Sequence, residues 1–200
     1  MANAIIMGGK GGTSYSYGKI LSAYLSTNNQ VIAPYLTTLT GWSAESGVNT
    51  LSNNIITNTS SGADKTISCR QTTGCSATVN DKIFVYSRTM VTNSDCILLR
   101  NYVYGMSTFL AGGSVNNPTI NTWYELYNMI TIPTTATNSY IFYINNGYAN
   151  PISGKIMKVD GTPSSGGCYI INMTSLGISN YTSAQMLDMI HQAQSYYGSL

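Results

Sequence analysis

Arg100, Tyr102 and Tyr104 alternate along one β-type run, which sets an arginine and two phenol rings on a single strand face. An aromatic ring flanked by hydrogen-bonding groups is what recognition of a sugar requires. The ring supplies apolar area and its neighbours read the hydroxyls. Trp42 and Trp123 are the largest aromatics available for such a platform. Packing in a core is the competing reading of both tryptophans, and it outweighs the binding one, because a sandwich interior readily takes up large rings. For the Arg100, Tyr102 and Tyr104 face the two readings stand about level, since an arginine among tyrosines is unusual in a core.

The residues offer little to catalysis. Glycosidase chemistry needs two carboxyl groups facing each other across a cleft. The seven acids, Glu45, Asp64, Asp81, Asp95, Glu125, Asp160 and Asp188, are scattered singly, mostly in turns. His191 is the one imidazole and falls beside the apolar stripe of a C-terminal helix, so a nucleophile, base and orienting group have no basis, and no enzymatic turnover is expected. Cys69, Cys75, Cys96 and Cys168 show no CxxC spacing; buried free thiols are the expectation. Asp64 or Asp160 would suit a structural calcium, yet no cluster of oxygens accompanies either, and neither a metal nor a cofactor is expected. Lys10-Gly-Gly-Thr13 lacks the Gly-Lys-Ser/Thr order of a phosphate loop.

The whole chain sets bounds on partners. Its 200 residues suffice for one β-sandwich with a modest appendage. Charged residues are 8% of the sequence, against roughly 25% in an average soluble domain, and polar uncharged residues and 16 tyrosines fill the gap. A net charge of +2 without a basic cluster argues against nucleic acid. No apolar stretch reaches the length of a membrane span, and the first eight residues do not read as a signal peptide.

The elements that must position the candidate face are β-strands. Runs at 54–57, 65–69, 82–90, 96–104, 123–132, 140–144, 155–159 and 168–173 are rich in β-branched or aromatic residues. Turn formers separate them, among them 59–62, 92–95, 112–118, Asn145-Asn146-Gly147 and 160–163. Some eight short strands at this spacing predict an all-β jelly roll or related sandwich. In the run 140–144 apolar residues occupy both faces, so it belongs in the middle of a sheet. The period then changes: Thr182 and Gln185 fit a capping box, and Met186, Met189, Ile190, Ala193 and Tyr197 follow at helical spacing, predicting a helix over about 182–197.

Residues 1–40 differ from the rest. Ile20, Leu21, Tyr24 and Leu25 make one stripe of a short helix, or belong to a strand, behind the glycine-rich stretch 8–12. The expectation is an arm that orders only on a partner surface, with Ile5, Ile6, Ile20, Leu21, Tyr24 and Leu25 as attachment residues and the sandwich occupying 41–200.

One resemblance adds to this reading. Gly41-Trp42, then Val79-Asn-Asp-Lys82-Ile-Phe-Val-Tyr86, Trp123 with its strand, and Lys155-Ile-Met-Lys-Val-Asp160 resemble, in that order, the carbohydrate-binding-module-like jelly rolls of phage tail, head-fibre and receptor-binding proteins. Tyr169-Ile-Ile-Asn-Met-Thr-Ser-Leu-Gly177, followed by Tyr181-Thr182 and the terminal helix, resembles the ending of those modules. Asn172-Met173-Thr174 stands where they have Asp-Leu-Thr, Leu176 where they have Phe, and 178–181 where they have an acidic, proline-bearing stretch. The resemblance covers about 41–200. It implies a virion structural or decoration protein (head fibre, capsid decoration or tail component) assembled in the host cytoplasm, in which the module adheres to host or environmental glycans. Its implied partners are other capsid or tail proteins and copies of the same chain, a trimer among the options. A dedicated receptor-binding tail-fibre adhesin is the first alternative, and a polysaccharide-degrading enzyme the second.

Overall fold

The computed structural model describes residues 14–61, 66–150 and 153–200, with side chains from residue 19 onward. Among the described residues twelve strands and two helices follow one another: α1 (Ser14–Asn28), β1 (Trp42–Ala44), β2 (Val48–Ser52), β3 (Ile55–Thr59), β4 (Thr66–Gln71), β5 (Cys75–Ala77), β6 (Lys82–Val91), β7 (Cys96–Gly105), β8 (Thr108–Asn116), β9 (Tyr124–Thr131), β10 (Ala136–Tyr148), β11 (Ile156–Asp160), β12 (Cys168–Asn172) and α2 (Ser183–Gly198). They build two antiparallel sheets. The first has the order β1-β4-β10-β7-β8, with β5 also pairing with β10. In the second, β9 lies on one edge of β6, while β12 (opposite Ile83 to Ser87) and β11 (opposite Arg88 to Val91) share its other edge, with β3 and β2 beyond β11. This is the expected all-β sandwich with a helix at its C-terminal end.

The near-continuous apolar run of β6 follows from burial on both faces. Ile83, Val85 and Val91 join the core between the sheets with Ile67, Leu99, Val103, Phe142, Ile144 and Val159. Phe84 and Tyr86 point the other way, onto a second cluster made with Tyr169, Ile171, Leu21, Leu25, Met186, Met189 and Ile190. Thus one face of the second sheet is covered by α1 and α2. Thr182 caps α2 through the anticipated box: its hydroxyl accepts from the Gln185 N–H, and the Gln185 side chain accepts from the Thr182 N–H.

The N-terminal segment departs from the arm expected there. Leu21 and Leu25 are fully buried and Tyr24 is half-buried, whereas Ile20 is 46% exposed. The cause is the docking of α1 against α2, which supplies within the chain the apolar surface that a partner was expected to provide. The exit from α1 is also stitched to the sandwich. Asn29 donates to the Cys168 carbonyl at 2.7 Å and accepts from the Ile170 N–H at 2.9 Å, and the Gln30 N–H reaches the Ile170 carbonyl. Val31 and Leu36 then enter the main core. Ile5, Ile6 and the 8–12 stretch lie outside the described residues.

Two stretches read as turns are strands. Asn145, Asn146 and Gly147 continue β10, paired with β4 on one side and β7 on the other. The side-chain amides of Asn145 and Asn146 are buried: the Asn145 nitrogen donates to the Ile67 carbonyl and Ser68 hydroxyl, and the Asn146 nitrogen donates to the Tyr148 hydroxyl while its oxygen has no partner among the described residues. Residues 112–116 belong to β8, where the Gly112-Gly113 pair sits at a register irregularity opposite Arg100 to Tyr102. A Cβ on Gly113 would stand 2.3 Å from the backbone nitrogen of Tyr127, so glycine is what lets β8 pass close to β9. The short strands β1, β2 and β5 had no counterpart among the anticipated runs.

Candidate functional site

Alternation along β7 sends Leu99, Asn101 and Val103 inward and leaves Leu98, Arg100, Tyr102 and Tyr104 on the outer face of the first sheet. Register then fixes their neighbours. Tyr102 lies opposite Tyr143 of β10, which lies opposite Arg70 of β4; Arg100 lies opposite Asn145; Tyr104 lies opposite Phe109 of β8. Cross-strand partners on one face are within side-chain reach, and here they form a continuous row of rings.

The Tyr102 and Tyr143 rings stack, with centroids 4.8 Å apart and planes at 4°. Tyr102 also meets Phe109 at 4.7 Å. The Arg100 guanidinium lies over both the Tyr102 and Phe109 rings, at 5.1 and 4.9 Å from their centroids. At the other end Arg70 donates to the Tyr143 hydroxyl at 2.8 Å and pairs with Glu45 at 3.2 Å. Because the inner rings pack against each other, the face offers open aromatic surface at its β7–β8 end, where Tyr104 and Phe109 are each 44% exposed. Burial pushes the Tyr102 hydroxyl up to about 12, with the charge of Glu45 adding to it, so it stays protonated at neutral pH. Beside Phe109 a groove of about 340 Å³ runs between β7 and β8, lined by Leu98, Arg100, Asn101, Phe109 and residues 111–114.

The structure therefore brings Arg100, Tyr102 and Tyr104 together and separates them from both tryptophans. Trp42 is 6% exposed, packs edge-on against Phe142 at 6.5 Å and donates its indole N–H to the Ile32 carbonyl at 3.1 Å. It is a core residue because the apolar interior takes its ring while a backbone acceptor satisfies its one polar atom. Trp123 stands by the second sheet, half-buried, with Arg88 over its ring at 5.1 Å. Arg88 is in turn paired with the buried Asp160, which also accepts from the Thr162 N–H and the Ser165 hydroxyl. That carboxylate is committed to the fold. Arg70, Tyr143, Phe109 and Asn145 complete the face and were not singled out in the sequence, since only strand pairing puts them beside β7.

Glu45 is the acid that bonds to this face. Asp95 pairs with Lys155, Glu125 bonds to His191 and Tyr86, Asp81 to Asn172 and the Thr78 N–H, and Asp188 to Gln192. Asp64 lies outside the described residues. Among the described residues no three His, Cys, Asp or Glu side chains gather as metal ligands would. A second hollow, of about 590 Å³, is lined by small polar groups such as Ser76, Thr78, Thr137 and Thr174, and no aromatic side chain lines it.

The fold recurs in solved structures of low sequence identity. The N-terminal cellulose-binding domain of Cellulomonas fimi β-1,4-glucanase C superposes with a TM-score of 0.50 at 8% identity, over 69% of this chain and 92% of that domain. The C-terminal family 22 carbohydrate-binding module of Clostridium thermocellum Xyn10B gives 0.51 at 12% identity, over 74% and 95%. An arabinose-bound α-L-arabinofuranosidase, MgGH51, gives 0.51 at 9% identity, over 72% of this chain and 26% of the enzyme. No protein-family model and no curated protein sequence matches the chain. The protein thus has the β-sandwich fold of carbohydrate-binding modules.

Proposed function

We propose that the protein is a non-catalytic carbohydrate-binding module that holds a glycan on the outer face of its first sheet. The observation that carries this reading is the exposed Tyr104 and Phe109 pair beside Arg100 and the β7–β8 groove. Exposed rings give a sugar's apolar C–H faces a place to pack, and the arginine, tyrosine hydroxyls and Ser114 supply hydrogen bonds to its hydroxyls. Two of the superposed structures are themselves a cellulose-binding domain and a family 22 carbohydrate-binding module, which supports the reading by fold. A glycan array tests it: the intact chain is expected to bind a subset of glycans reproducibly, and Tyr104→Ala and Phe109→Ala to lose that binding while keeping the unfolding temperature. An array silent to the intact chain overturns it.

The setting we infer is a phage particle, with the module on a structural or decoration protein of the virion. Support comes from the sequence motifs alone, above all 79–86 and 169–177. Co-sedimentation of the chain with assembled particles tests it, and its absence from purified particles refutes it.

A further inference from the structure

The chain has three arginines. Arg70 pairs with Glu45 and Arg88 with Asp160, but Arg100 has no carboxylate partner among the described residues. Its side chain is nevertheless held. Nε donates to the Asn145 side-chain oxygen at 3.2 Å, and Asn145, only 3% exposed, is anchored in turn by its amide nitrogen to the Ile67 carbonyl at 3.0 Å and the Ser68 hydroxyl at 2.8 Å. The Tyr102 and Phe109 rings support the plane of the guanidinium. With Nε occupied, the two terminal nitrogens keep a fork of parallel N–H donors, and Arg100 is among the residues that line the β7–β8 groove.

A fixed arginine fork matches an oxyanion better than a neutral hydroxyl, because two charge-assisted hydrogen bonds form at once and little side-chain entropy is left to lose. We infer that the glycan taken up on this face is acidic, with a sugar carboxylate or sulfate seated on the terminal nitrogens of Arg100 and its ring packed against Phe109. This rests on the glycan-binding reading and narrows it to a class of sugar. Asn145 is the positioning residue, acting through Arg100. Glu45, the acid that bonds to this face, is held by Arg70 at the opposite end of the row of rings rather than by Arg100.

The test is affinity electrophoresis and calorimetry of the full chain against four polysaccharides. Polygalacturonate carries carboxylates, its fully methyl-esterified form is the neutral control, carrageenan carries sulfates, and xylan is neutral and unrelated. Polygalacturonate or carrageenan should bind at least tenfold more tightly than both neutral polymers, and whichever of the two binds identifies the anion. Arg100→Gln should remove that preference, Arg100→Lys should keep a weakened form of it, and Asn145→Leu should reduce it. Raising salt should weaken the acidic ligand more than the neutral ones. If neutral polymers bind as well as acidic ones and Arg100→Gln changes nothing, the inference fails while the glycan-binding reading stands. If none of the four polymers nor any array glycan binds, both fail.

Discussion

Leu25 is the place to perturb the N-terminal segment. Its side chain is fully buried in the cluster formed by α1, α2 and the faces of β6 and β12, alongside Leu21, Met186 and Ile190. Leu25→Ala removes three side-chain carbons from a site walled by side chains of several elements, which costs about 2–5 kcal/mol depending on how far the cavity collapses. In a chain of this length that loss lowers the Tm by about 4–20 °C. Ile20, on the same helix but 46% exposed, is the internal control: Ile20→Ala should change stability by no more than about 0.5 kcal/mol. Thermal unfolding followed by circular dichroism, with urea unfolding as a second measure, reads both variants. If Leu25→Ala unfolds within a degree or two of the parent, α1 is not docked on the isolated chain, and the segment is an arm awaiting a partner after all.

Other expectations follow from polar and ionisable side chains. Asn101 ties four strands together: its amide nitrogen donates to the Ser87 hydroxyl and the Leu126 carbonyl, and its oxygen accepts from the Gly113 N–H. Asn101→Ala should cost about 1–3 kcal/mol for each backbone group left unpaired, read as a lower urea midpoint. Burial pushes the Cys69 and Cys75 thiols up to about 12 and Cys96 up to about 11, and raises Cys168 as well. A thiol reagent at pH 8 should therefore label none of the four free cysteines in the folded protein and all four in denaturant. The Lys155 ammonium, by its hydrogen bond above all, holds the Asp95 carboxyl below its ordinary 3.8. A depressed folded-state pKa contributes stability above the unfolded value and loses it as pH falls through the folded one. The stability gap between the parent and Lys155→Met should accordingly be constant at neutral pH and narrow on acidification below 3.8.

How far the sequence revealed all this depended on where the information lay. The strands with strong β composition, β6, β7, β9 and β10, were legible because their side chains meet apolar surface on one or both faces. So was α2, with its capping box and regular stripe. Strand β8 was not. Its glycines signal a turn in isolation, and their role, the close pass against β9, exists only once the sheets are stacked. Asn145 misled for the same reason: an Asn-Asn-Gly stretch reads as a turn until β4 and β7 provide partners for both edges. On the candidate face the i, i+2 spacing of Arg100, Tyr102 and Tyr104 was visible within one strand, while Tyr143, Arg70 and Phe109 arrive from three others by register. The tryptophans looked suitable by size, but size equally suits a core, and Trp42 went there.

The most direct test of where a glycan sits is a titration of isotope-labelled protein with an oligosaccharide retained on the array, followed by amide and side-chain chemical shifts. The expected result is a contiguous set of changes at Arg100, Tyr102, Tyr104, Phe109, Gly113 and Asn145, with little movement at Trp42. Changes confined to the surroundings of Trp123 and Arg88, or to the polar hollow near Ser76 and Thr174, with Tyr104 and Phe109 unmoved, would contradict binding on the outer face of the first sheet.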